Sequence, residues 1–214
     1  MQAIARRFAI ALAVGVFHLA LAFPVQAQVN TGASGTDSYD DFWKALAGQV
    51  AEPTDGDPAW IIDPADQHTN WVEPPAGSRW ITRTSGWELD APDDIWTTYY
   101  MSFVVGSPET FSLAGRWATD NNALMFLNGT QVFTSGFTSF KSLTDFELSS
   151  GFRDGSNILS VQVYNGTASV NPSGLLMADV TATVPEPTSI MLLGTGLLGL
   201  AAIGRRKRED ELED

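Results

Sequence analysis

Gly155-Ser156-Asn157-Ile158-Leu159-Ser160-Val161-Gln162-Val163-Tyr164-Asn165 is the stretch that decides the fold. Gly155-Ser156-Asn157 is a turn signal. After it, Ile158, Ser160, Gln162 and Tyr164 alternate with Leu159, Val161 and Val163. Successive side chains of a strand point to opposite faces, so this alternation predicts a strand with one face in a core.

The same pattern recurs outward from it. Trp96 to Val105 is rich in β-branched and aromatic residues and stops at Gly106-Ser107-Pro108. Thr110 to Trp117 alternates, with Phe111, Leu113 and Gly115 on one side and Ser112, Ala114 and Arg116 on the other. Leu124 to Leu127 runs into Asn128-Gly129, and Gln131 to Thr134 returns. Both turn residues accept positive φ, so this is a hairpin. Phe137 to Leu148 reads as a loop followed by a strand. Asn165-Gly166 and Asn171-Pro172 punctuate the next loop, and Leu175 to Val184 is the closing strand. Tyr39 to Ala47 reads as a short helix capped by Asp37 or Ser38. Short strands at turn-marked intervals predict an all-β fold, an antiparallel β-sandwich.

The two ends of the chain are of another kind. Arg6-Arg7 precedes an apolar run from Phe8 to Phe23, and Val25-Gln26-Ala27 offers small residues before a cut at Gln28. That is the layout of a secretory signal peptide, residues 1–27. The run is shorter than the roughly twenty apolar residues that span a bilayer, which favours cleavage over a retained helix. At the other end, Val184-Pro185-Glu186-Pro187 cannot continue a strand or a helix. An apolar segment, 188–204, follows as a membrane helix, and Arg205-Arg206-Lys207-Arg208 closes it on the cytoplasmic side. The body between the signals, residues 28–184, has the size of one domain. The acidic end, Glu209 to Asp214, has no account in this scheme.

Pro185-Glu186-Pro187, the Leu/Gly-rich segment and the basic cluster resemble the PEP-CTERM sorting signal of Gram-negative bacteria. The resemblance implies recognition and cleavage by an exosortase near the Pro-Glu-Pro motif. It also implies delivery to the cell surface or extracellular matrix, among exopolysaccharide, from a membrane-anchored precursor. A second resemblance is carried by Trp117-Ala118-Thr119-Asp120-Asn121, Phe126-Leu127-Asn128-Gly129, Gly155-Ser156-Asn157-Ile158-Leu159 and Gly174-Leu175. In that order they are similar to the jelly roll of galactose-binding-like domains, which occur in sugar-binding modules. Asn30-Thr31-Gly32, Asp57-Pro58-Ala59-Trp60 and Trp80-Ile81 add to it, while Gly35 to Gly56 departs from it. The fold by itself confers no function.

Composition removes several function classes. The chain has no cysteine and a net charge of −13, and the body alone carries six basic and nineteen acidic side chains. Cysteine catalysis and cysteine metal sites are excluded, and the acidic surface repels nucleic acid. His68, the body's single histidine, has no motif partner for zinc or Ser-His-Asp chemistry. No spacing singles out a carboxylate pair for glycoside cleavage.

The candidate ligand contacts are Trp71, Trp80, Trp87 and Trp96, with Asn70, Glu73 or Glu88 as polar partners, and Asp120-Asn121-Asn122. A large aromatic face with a few orienting polar groups makes a small-ligand site. The same rings could equally plug the ends of the sandwich, and the Asp120 loop could be a turn that satisfies its own backbone. Asp55-Gly56-Asp57 offers carboxylate oxygens that could hold calcium, or else is a solvated turn. The reading is a non-catalytic exported surface or matrix protein that binds exopolysaccharide or another glycan. A purely structural biofilm or floc matrix protein and a carboxylate glycosidase are the alternatives.

Overall fold

In the computed structural model the described residues are 29–183, apart from 34, 37 and 168–170. The expected signal peptide, the 188–204 segment, and Pro185, Glu186, Pro187, Arg205, Arg206, Lys207 and Arg208 lie outside them. Among the described residues no helix is long and apolar enough to cross a membrane.

The chain forms strands β1 Gly35–Thr36, β2 Tyr39–Ala47, β3 Asp57–Ile61, β4 Ile81–Thr82, β5 Ile95–Val105, β6 Ser112–Asp120 and β7 Asn122–Leu127. It continues with β8 Thr130–Thr134, a 3-10 turn at Ser139–Lys141, β9 Thr144–Leu148, β10 Gly155–Asn165 and β11 Gly174–Thr183. All pairings are antiparallel. The order β8-β7-β10-β5-β2-β3-β4-β11-β6-β9 makes one sheet that folds back on itself, with β1 added beside β2. Its two leaves face each other as an all-β sandwich of jelly-roll-like form.

Alternation builds the core between the leaves. One leaf contributes Tyr99, Met101, Phe103 and Val105 from β5, Leu159, Val161 and Val163 from β10, and Ala123, Met125 and Leu127 from β7. The other contributes Leu113 and Trp117 from β6, Phe146 and Leu148 from β9, and Leu175, Met177 and Val180 from β11. Burying each large side chain stabilises the fold by about 1.5–3 kcal/mol. On β11 the inward parity switches between Met177 and Val180, because the register shifts between Ala178 and Thr181 and Asp179 takes a positive φ of 51°. The β7–β8 hairpin turns through Asn128 and Gly129, at φ 51° and 77°, the left-handed pair that the Asn-Gly sequence favours.

Tyr39 to Ala47 is a strand and not a helix. Asp40 Oδ1 accepts the N–H groups of Phe42 and Trp43, both at 2.9 Å, and Oδ2 accepts that of Gly32 at 2.6 Å. An acid bonding the amides two and three residues on is also how a helix start is capped, so the local signal is ambiguous. Tertiary pairing decides it. Trp43 and Ala45 enter the core two residues apart, and Lys44 to Ala47 pair with Tyr100 to Thr97 of β5. The Asp40 contacts sit at an irregularity in the β2–β3 register, which shifts between Tyr39 and Lys44.

Both outer faces carry a loop. Residues 48–56 cross the β5–β10 face. There Thr98 Oγ1 donates to the Gly48 carbonyl at 2.7 Å, and Ser160 Oγ donates to the Ala51 carbonyl at 2.9 Å. Residues 62–80 cross the β6–β11 face, where Ile62, Trp71 and Trp80 form a second apolar cluster with Ala118, Leu176 and Ala178. Those strand residues face away from the main core and are buried only because the loop covers them.

Candidate functional site

The structure gathers Trp71, Trp80, Asp120 and Asn121 into one buried knot. The Trp71 and Trp80 rings lie 4.3 Å apart. Trp71 Nε1 donates to Asp120 Oδ2 at 2.6 Å, and Trp80 Nε1 donates to the Val72 carbonyl at 2.9 Å. Asn121 donates its side-chain N–H to the other Asp120 oxygen and accepts the Gly166 N–H at 2.8 Å. The expectation of an open stacking platform is therefore corrected for these two rings. Trp71 and Trp80 are 5% and 1% exposed, because their apolar faces cover β6 and β11 and their N–H groups find partners inside. Asp120 is buried, and burial pushes its carboxyl up to about 6, although the Trp71 hydrogen bond pulls it down. Asp120 ends β6 and Asn122 opens β7, so the three polar residues join two strands.

Trp96 and Trp87 are half-buried, and their rings meet other partners. Trp96 is on the outward face of β5, with the Tyr164 ring 5.1 Å away. Tyr164 donates to Asp94 at 2.6 Å, and that bond pushes its hydroxyl up. The Arg83 guanidinium carbon sits over the Trp87 ring at 5.5 Å.

Arg83 leads to a groove with exposed aromatic character and mixed polar groups. Tyr39 pairs with Trp60 across β2 and β3, and Trp60 pairs with Thr82 across β3 and β4. Ala59 and Ile61 enter the core, so Trp60 between them is turned outward. The Tyr39 and Trp60 rings meet edge to face at 5.1 Å, a favoured aromatic geometry. Tyr39 remains 50% exposed. Together with Asp57, Pro58, Arg83, Thr84 and Ser85 they line an open groove of about 490 Å³, within the usual range for small-ligand sites. Rings, a guanidinium, a carboxylate and two hydroxyls are the chemistry that holds a saccharide: flat apolar faces for the sugar ring, donors and acceptors for its hydroxyls.

Two other grooves offer less. One of about 670 Å³ is lined by Arg116, Asp145, Glu147 and Asp179, but its arginine is already ion-paired with Asp179. One of about 430 Å³ is lined by Asp41, Lys44, Thr54, Tyr100 and Ser102, and its single aromatic hydroxyl, that of Tyr100, is itself buried.

Asp55 and Asp57 are both exposed. Asp57 lines the aromatic groove, whereas Asp55 lies near Tyr100 and helps raise that hydroxyl after burial has done most of it. Among the described residues no three His, Asp or Glu side chains gather as a metal site would need. Sequence reasoning missed Tyr39, Trp60 and Arg83 as site residues. The alternation in Asp57-Pro58-Ala59-Trp60-Ile61 was the available signal, since a small and a large apolar residue flank an outward tryptophan.

Comparison with known proteins gives the class. Residues 183–208 match the PEP-CTERM protein-sorting motif. This motif indicates an exported, membrane-processed protein of Gram-negative bacteria. No curated protein matches the chain. Among solved structures the chain is similar to a family 35 carbohydrate binding module from an environmental isolate, at 12% identity and TM-score 0.35, covering 70% of this chain and 98% of that one. It is also similar to the CBM36-1 domain of a multidomain xylanase from the hindgut metagenome of Trinervitermes trinervoides, at 12% identity and TM-score 0.30, covering 56% and 88%. Bifidobacterium dentium β-glucuronidase is similar over 64% of this chain at 22% identity and TM-score 0.39, and the chain spans 22% of that enzyme's length.

Proposed function

We propose that this is a non-catalytic, exported glycan-binding protein, processed by an exosortase and associated with exopolysaccharide. Two facts support the export half. The sorting motif begins at residue 183, and β11, the last strand of the body, ends at Thr183. The binding half is carried by the Tyr39–Trp60 pair and the polar groups ranged around it.

The test uses protein recovered from outside the producing cells, with an intact mass that places the cut near Pro185. Its binding to the producer's own exopolysaccharide is measured for wild type, Tyr39→Ala and Trp60→Ala. Losing one stacked ring costs about 1–2 kcal/mol, so each variant should bind about tenfold more weakly. Equal binding by all three forms, or none by the wild type, would remove the groove from the account.

A further inference from the structure

The geometry points to an anionic saccharide, one bearing a uronic-acid carboxylate, as the ligand of the Tyr39–Trp60–Arg83 groove. This rests on the groove being the saccharide site. The body has six basic side chains against nineteen acidic ones, so a cation without an acid partner is informative where it is also withdrawn from water. Arg116 pairs with Asp179 and Arg153 with Glu52. Lys44, Arg79 and Lys141 are exposed. Among the described residues, Arg83 alone is half-buried with no ion pair.

Its setting fixes what it can read. The guanidinium carbon lies over Trp87 at 5.5 Å, a cation–π contact that orients the group without using its N–H donors. Asp57 lines the same groove yet forms no ion pair with Arg83. The planar donor fork is left for a carboxylate, which it matches in two parallel hydrogen bonds. Asp57, Thr84 and Ser85 then serve the hydroxyls, and Tyr39 and Trp60 take the ring face. A neutral hexose would leave the fork facing hydroxyls, a poorer match for its charge.

The experiment titrates the exported protein with trimers of galacturonic acid and of glucuronic acid, each as the free acid and as the methyl ester. The ester keeps the sugar and removes the charge. A charge-assisted bond predicts that at least one free acid binds about tenfold to a hundredfold tighter than its ester. Arg83→Gln should erase that preference and Arg83→Lys should keep part of it. The Lys variant also guards against loss of fold. If acid and ester bind alike and Tyr39→Ala weakens both, the groove reading stands and the anionic assignment falls. If no uronic trimer binds while the producer's exopolysaccharide does, the assignment falls as well. If neither trimers nor exopolysaccharide bind, both fall.

Discussion

Burial of Asp120 has a sign that can be measured. Burial pushes its folded carboxyl up to about 6, from an ordinary aspartate value of 3.8. Between those values the native chain holds a proton that the unfolded chain has released. The stabilisation is therefore complete below the unfolded value and is lost as pH rises through about 6, with a size of up to about 3 kcal/mol. Asp40 shifts the same way, mainly through burial, so it adds to the slope. The expected outcome is a urea midpoint that falls from pH 4 to pH 7 in the wild type and falls less in Asp120→Asn. An unchanged slope in the variant would mean that Asp120 titrates normally. The sequence showed that Asp120 and Asn121 were polar residues between strands. It could not show that Trp71, distant in the chain, would donate to one of them, because that contact exists only once the 62–80 loop lies on the sheet.

Elements differ in how much of them the sequence displays. Strands β5 and β10 and the β7–β8 hairpin are long or turn-marked, and the inward residues of β5, β7 and β10 announce themselves at period two, whereas β11 breaks that period at Asp179. β4 is two residues long and β3 is five, so the orientation of Trp60 rests on a single pair of flanking apolar residues, Ala59 and Ile61, and is a faint signal. The sequence reads β2 as a helix capped by Asp37 or Ser38, because the partners that make it a strand lie far along the chain in β5. The loop over β6 and β11 carries no period at all, and its two tryptophans look alike in sequence to the open ones. Its energetics are testable. Trp80→Ala should cost about 3–5 kcal/mol and should open residues 62–80 to limited proteolysis while the β5–β10 hydrogen bonds remain protected from exchange. Cleavage spread evenly along the chain would show that the loop is not a separate layer.

At the scale of the whole molecule, the acidic body and the sorting motif belong to one design. Net charge of −13 keeps such a body soluble and discourages nucleic-acid contact, while the motif at 183–208 directs its export. The sorting motif was legible at the C-terminal end, where Pro185-Glu186-Pro187, an apolar run and a basic cluster follow one another. The Tyr39–Trp60–Arg83 groove was not, because it is assembled by cross-strand register from β2, β3 and the residues after β4.

Seven tryptophans report on its place. Trp43, Trp71, Trp80 and Trp117 are buried, whereas Trp60, Trp87 and Trp96 are half-open. The most direct measurement is the indole N–H spectrum of the exported protein during titration with oligosaccharides cut from the producer's exopolysaccharide. The groove predicts saturable shifts at Trp60 and Trp87, with Trp71 and Trp80 unmoved. Shifts confined to Trp71 and Trp80, or none at any indole, would contradict it.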